Sequence, residues 1–221
     1  MRSGLSWEFS HPDWQFSESR NVPWKSSTLT PPKRFRVVVV GEPSTCFRLC
    51  VGFIEGRAVS DKDNPREDSM SGLPRDEWVT KLTVNLGGES VPIELTVEIH
   101  GPWVWDLYNM IPPREYFRRF TGIVMVADLS RDDSVRDLAR FVQSFDSYAA
   151  GGAPAVLVYD QSRVYGKREL QLATRAFWPR SVGILAVDFI TGEAAARPFQ
   201  WIAAKMVEEN QDIGPGVDDA Q

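Results

Sequence analysis

FRVVVVGEPSTCFRLCVGFIE, residues Phe35 to Glu55, is the stretch on which the reading of the whole chain turns. Four consecutive valines, Val37 to Val40, have the β-branched, uninterrupted apolar character of a strand buried on both faces. Gly41 ends the run and five polar or small residues follow. The pattern then turns helical, with Phe47, Leu49, Val51, Phe53 and Ile54 among the apolar positions. The expectation is strand, tight loop, helix. That arrangement gathers loop amides and the positive end of a helix dipole around one point, which suits an anion such as phosphate.

The residues that would hold the phosphate are missing. The phosphate-loop pattern is G-x-x-x-x-G-K-[ST], and counting from Gly41 puts Cys46, Phe47 and Arg48 where the second glycine, the lysine and the hydroxyl belong. The expectation is a nucleotide-binding fold whose ordinary chemistry has gone. Phe47 and the cysteines would turn the former cavity into apolar packing, with Arg48 either pairing with Glu42 or Glu98 across it or pointing to solvent.

A chain of 221 residues with 43% hydrophobic content can bury one sizeable core, so one domain with appendages is expected. The divisions are an extended, aromatic-containing tail over 1–33, a domain over 34–210 and a disordered tail over 211–221. A formal net charge of −5 argues against a general nucleic-acid surface. Cys46 and Cys50, four apart on a helix, fit a reduced cytoplasmic interior better than a secreted disulfide scaffold. His11 and His100 are the only histidines and lie far apart in sequence, so no metal site is expected. No signal peptide or membrane-length apolar run is present, and the final GPGVDDAQ carries no cysteine for prenylation. No direct membrane anchor is expected; any membrane association would come through a partner.

The first 33 residues are polar and proline-rich, yet they carry Trp7-Glu8-Phe9-Ser10, repeated as Trp14-Gln15-Phe16-Ser17, and then Trp24. In an extended segment the Trp and Phe of each W-x-F unit point to the same side, so each unit can fill one apolar groove. Either the segment folds back on its own domain or it docks on another protein as a linear motif.

Beyond the first helix, Arg57 to Glu77 reads as a long loop. Trp78 to Leu86 and Val91 to His100 alternate apolar and polar residues around Gly87-Gly88-Glu89-Ser90, a β-hairpin. An aromatic loop at Gly101-Pro102-Trp103-Val104-Trp105 leads through Pro112-Pro113 into a short helix, Arg114 to Phe120. Gly122 to Asp128 is a buried strand, followed by a capping box at Ser130 to Asp133 and an amphipathic helix. Strand Ala155 to Tyr159, helix Lys167 to Phe177, strand Val182 to Val187 and helix Ala194 to Glu209 complete the series. Strands alternating with helices imply an α/β, doubly wound, mainly parallel six-stranded sheet, with the hairpin supplying one antiparallel strand.

That order of elements resembles the Ras-like small GTPases, a P-loop NTPase-like fold, and the Rab branch in particular. The resemblance covers about Arg34 to Glu209. It is carried by Phe53-Ile54-Glu55-Gly56, by Phe120 to Ser130 (FTGIVMVADLS) with Asp133-Ser134-Val135 beyond it, and by Thr191-Gly192-Glu193 before the last helix. The family's nucleotide-reading motifs are altered one by one. Its D-x-x-G, followed by the glutamine that orients the attacking water, matches Glu98-Ile99-His100-Gly101 and then Pro102, which has no amide side chain. Its guanine-reading N-K-x-D falls on Asp160-Gln161-Ser162-Arg163, without the asparagine or the final carboxylate. Its S-A-K falls on Asp188-Phe189-Ile190. If the lost lysine, metal hydroxyl and base carboxylate were each worth ~1.5–3 kcal/mol, the total of about 5–9 kcal/mol is roughly four to six decades of affinity, or about half of that with non-additivity.

The resemblance therefore implies a pseudo-GTPase without cofactor and without catalytic residues, a protein-binding subunit or adaptor of an assembly, with descent pointing to vesicular or ciliary traffic. Its partners would be other protein subunits. The expected contact surface is the aromatic tail plus Trp103, Trp105, Leu107 and Tyr108, where active relatives present their second switch. The alternative is an atypical GTPase or ATPase that binds GTP or GDP with magnesium through unrecognised replacements, using Arg48, Asp128 or Glu98. An unrelated receiver-like or flavodoxin-like domain would lack the early hairpin.

Overall fold

A computed structural model describes residues 31–58, 77–86, 88–100, 113–148, 152–163, 165, 167–177, 180 and 182–212. The chain divides into two units, Met1–Pro31 and Pro32–Gln221, and every element below belongs to the second. In chain order these are β1 (Lys33–Gly41), α1 (Pro43–Ile54), β2 (Glu77–Leu86), β3 (Glu89–His100), α2 (Pro113–Arg118), β4 (Gly122–Ala127), α3 (Asp132–Tyr148), β5 (Ala155–Asp160), α4 (Lys167–Ala176), β6 (Gly183–Val187) and α5 (Ala196–Asp212).

The strands form one sheet in the order β2-β3-β1-β4-β5-β6. Only the β2–β3 pair is antiparallel; the other four ladders are parallel. The α/β class and the single antiparallel pair are as the alternation of patterns implies. The physical cause is burial on both sides: Val37 to Val39 are 0% exposed, and all six residues of β4 are buried. Each fully buried branched side chain contributes roughly 1.5–3 kcal/mol.

Residue parity sorts the core into two layers. Val38, Val40, Ile123, Met125 and Leu157 face Phe117 of α2 and Leu138, Phe141, Val142 and Phe145 of α3. On the other face Val37, Val39, Val124 and Val126 lie on the side of α1 and α5, where Gly122 approaches Ile202 and Met206. Phe53 of α1 stacks on Phe199 of α5 with centroids 4.1 Å apart.

Several boundaries move. The helix expected from Phe47 begins at Pro43, leaving one residue, Glu42, between β1 and α1 instead of a phosphate-sized loop. The hairpin loop contracts from Gly87–Ser90 to the two residues between paired Leu86 and Glu89, because cross-strand pairing continues to the turn. The capping box at Ser130 does not form: Ser130 turns its amide and hydroxyl back onto Asp128 Oδ1, at 3.0 and 2.6 Å, and α3 begins at Asp132. The last helix continues to Asp212, beyond the expected end of the domain.

Candidate functional site

The junction of β1 and α1 is built by two residues. Gly41 lies opposite Val126 of β4 and has φ of 155°. A Cβ placed on it would stand 2.4 Å from the Val126 carbonyl oxygen, so the glycine is required by the approach of two backbones. Glu42 is the N-cap of α1, followed by Pro43, whose missing N–H costs nothing in a first turn. Its carboxylate accepts from the backbone N–H of Ser44 at 3.1 Å and of Thr45 at 2.8 Å. The hydroxyls of the same two residues donate to it at 2.5 and 2.6 Å. Partial burial opposes ionisation of Glu42, but the bonds from Ser44 and Thr45 outweigh it and hold the carboxyl below its ordinary range.

The chemical consequence is that the anion favoured by a helix N-terminus is supplied by the chain itself. A phosphate brought here would meet a carboxylate, with two of the first amides and both nearby hydroxyls already committed to it. The donor set differs from that of a phosphate loop: the amides and hydroxyls of Ser44 and Thr45 are turned onto Glu42, and Arg48 stands where the metal-binding hydroxyl of such a loop would be. Cys46, Phe47 and Arg48 continue the helix. Cys46 is fully buried and its thiol is pushed well above its ordinary pKa by that burial. Phe47 packs on Trp78 of β2, with ring centroids 6.3 Å apart. Arg48 is half-buried.

At the end of β3, Glu98 is 3% exposed. Arg36 of β1 donates to one carboxylate oxygen, and Arg119 to the other at 2.5 Å. Arg36 stands on the neighbouring strand and on the same face of the sheet as Glu98. Burial opposes the charge on Glu98, but His100, Arg119 and Arg36 outweigh it and lower its pKa. His100 is 1% exposed, with the Tyr116 hydroxyl 2.6 Å from Nδ1 and 2.7 Å from Nε2. Burial lowers the pKa of His100 against the opposing pull of Glu98. Arg119 also lies over the rings of Tyr116 and Phe120, at 4.7 and 4.8 Å. This knot fastens α2 to the sheet, and its carboxylate is occupied from both sides.

The loops that begin at Asp160 and Asp188 are likewise closed on themselves. Asp160 accepts from the Ser162 amide at 2.9 Å, and Asp188 from the amides of Ile190 and Thr191 at 2.8 and 2.9 Å, both local turns of the Asx kind. Arg163, three residues beyond Asp160, reaches back to Asp128 Oδ2 at 2.6 Å, with the Tyr165 hydroxyl 3.4 Å from Oδ1. Burial opposes the charge on Asp128; bonds from Ser130 and the Arg163 guanidinium overcome it and lower the pKa.

Gly101, Pro102, Trp103, Trp105, Leu107 and Tyr108 lie outside the described residues, as do Trp7, Phe9, Trp14, Phe16 and Trp24. A cavity of about 250 Å³ opens beside Tyr159, Gln161, Arg163 and Tyr165, and one of about 340 Å³ between α3 and α4; neither is lined by residues 41–48. Among the described residues no group of three His, Cys, Asp or Glu side chains is placed to hold a metal ion, and no helix is long and apolar enough to cross a membrane.

The structure thus brings together two groups that pattern reading had kept apart, Glu42 with Ser44 and Thr45, and Glu98 with Arg36, Arg119, His100 and Tyr116. The first had a local signal, an acidic residue directly before a proline at N1. The second had none, since Arg36 and Glu98 stand 62 residues apart in the chain. No family model matches the chain, and no curated protein matches it.

Proposed function

We propose that this chain is a degenerate Ras-like small GTPase, of the Rab-like branch, that serves as a nucleotide-independent binding subunit of a protein assembly. The observation that carries this reading is the Glu42 carboxylate seated on the first amides of α1, where an active relative would receive phosphate. Support comes also from the strand order β2-β3-β1-β4-β5-β6 with one antiparallel pair, and from Arg163 standing where a base-reading carboxylate would be needed.

A domain freed from nucleotide keeps its fold by internal caps and ion pairs, and its remaining assets are surfaces. Trp7, Phe9, Trp14, Phe16 and Trp24, with Trp103, Trp105 and Tyr108, supply the residue types that anchor protein interfaces. The test is to purify the full chain without added nucleotide, denature it and chromatograph the supernatant. The proposal expects no stoichiometric guanine nucleotide; one equivalent of GDP or GTP per chain would overturn it.

A further inference from the structure

The outer strand of the sheet carries a second feature, independent of nucleotide. β2 closes one side of the sheet, and among the described residues it is hydrogen-bonded to β3 alone. Its ten residues run without proline. The two sides of the strand differ: Trp78, Thr80, Leu82 and Leu86 are half-buried and Val84 is buried, whereas Glu77, Val79, Lys81, Thr83 and Asn85 are exposed, Val79 to 59%. A long edge whose own ladder runs unbroken is a template for another strand, and the usual deterrents are proline, bulges or several charges. Here the stretch from Trp78 to Leu86 carries one charged residue, Lys81, which stands opposite Glu94 of β3.

We infer that the β2 edge pairs antiparallel with the β2 edge of a second copy, about a twofold axis at Leu82, joining two sheets into one of twelve strands. The occupant follows from self-complementarity. A continuous antiparallel sheet about a twofold axis requires partners of equal parity, so each register is named by its central residue. Centring on Leu82 overlaps Trp78 to Leu86. It sets Leu82 on Leu82, Trp78 on Leu86 and Thr80 on Val84 along one face, and Val79 on Asn85 and Lys81 on Thr83 along the other. No like charges meet. Centring on Lys81 gives equal overlap but sets lysine on lysine, and centring on Val79, Thr80 or Thr83 shortens the ladder. A strand pair alone lies at the small end of specific interfaces, so the dimer forms in proportion to concentration.

The test uses the full chain. Sedimentation velocity of the wild type across a range of concentrations should show monomer passing to dimer. Leu82→Cys then reports the register, because opposed Cα atoms about 4.5–5.5 Å apart lie within disulfide reach, whereas Lys81→Cys on its own copy is a diagonal pair at about 7–8 Å. Under copper–phenanthroline Leu82→Cys should cross-link to a dimer about tenfold or more faster than Lys81→Cys. Cys46 and Cys50 are buried, so the wild type gives the background. A wild type that sediments as monomer throughout, equal cross-linking of the two variants, or capture of Leu82→Cys by a different protein in a lysate would each overturn the inference.

Discussion

Glu42 accepts both the backbone N–H of Thr45, at 2.8 Å, and its hydroxyl, at 2.6 Å, so one carboxylate closes the first turn of α1 from two directions. The connection from β1 to α1 is therefore a capped helix start. Replacing Glu42 by Ala removes the cap and should cost about 1 kcal/mol of stability, read as a lower urea midpoint at unchanged m. Because the folded pKa of Glu42 is lowered, its contribution is full above the unfolded value of about 4.3 and is lost as pH falls through the folded value. The difference between wild type and Glu42→Ala should vanish in acid; a difference that grows as pH falls would refute the cap.

Gly41→Ala tests whether the glycine is kept for packing. The new methyl would lie 2.4 Å from the Val126 carbonyl oxygen, and β1 would have to move away from β4. A loss of about 1–3 kcal/mol is expected, measured by thermal or urea unfolding. A variant as stable as the wild type would show that the two strands have room to spare at their ends.

The knot around Glu98 makes a prediction of both size and sign. Glu98→Ala leaves Arg36 and Arg119, each about a third exposed, without their shared buried acceptor and should cost ~1–3 kcal/mol. His100 is buried with a lowered pKa, so between about pH 6.5 and its folded value the unfolded chain takes up a proton that the folded chain does not. Stability therefore falls as pH drops through that window, and further in acid as Glu98 protonates. His100→Gln should flatten the first phase and leave the acid phase, in urea midpoints collected from pH 7 to about pH 2.

Arg163 and Asp128 tie two loops together at the surface, with side chains 54% and 31% exposed. A double-mutant cycle with Arg163→Ala and Asp128→Ala should give a coupling of only ~0.2–1 kcal/mol, reduced by salt. A coupling of several kcal/mol would show that this crossing is a buried strut.

The sheet was legible because its information is local and redundant: Val37 to Val40, Gly122 to Ala127 and Ala155 to Val158 declare buried strands without reference to neighbours. The hairpin was legible from alternation. The start of α1 differs from the loop that Gly41 suggests, because Pro43 at the first helical position, behind an acid and ahead of Ser44 and Thr45, is the pattern of a capped helix. Nothing local to Glu98 names Arg36 as its partner, since that pairing exists only once β1 and β3 lie in register, Val38 beside Glu98. Polar groups far apart in sequence acquire partners from topology, which periodicity does not encode.

Equilibrium binding of labelled GTP and GDP, with magnesium and the full chain at micromolar concentration, bears most directly on the claim that Glu42 has taken the place of phosphate. The account predicts no saturable retention by wild type, and none by Glu42→Ala, because Phe47, Pro102 and Arg163 remain. Stoichiometric, magnesium-dependent retention by the wild type would contradict it.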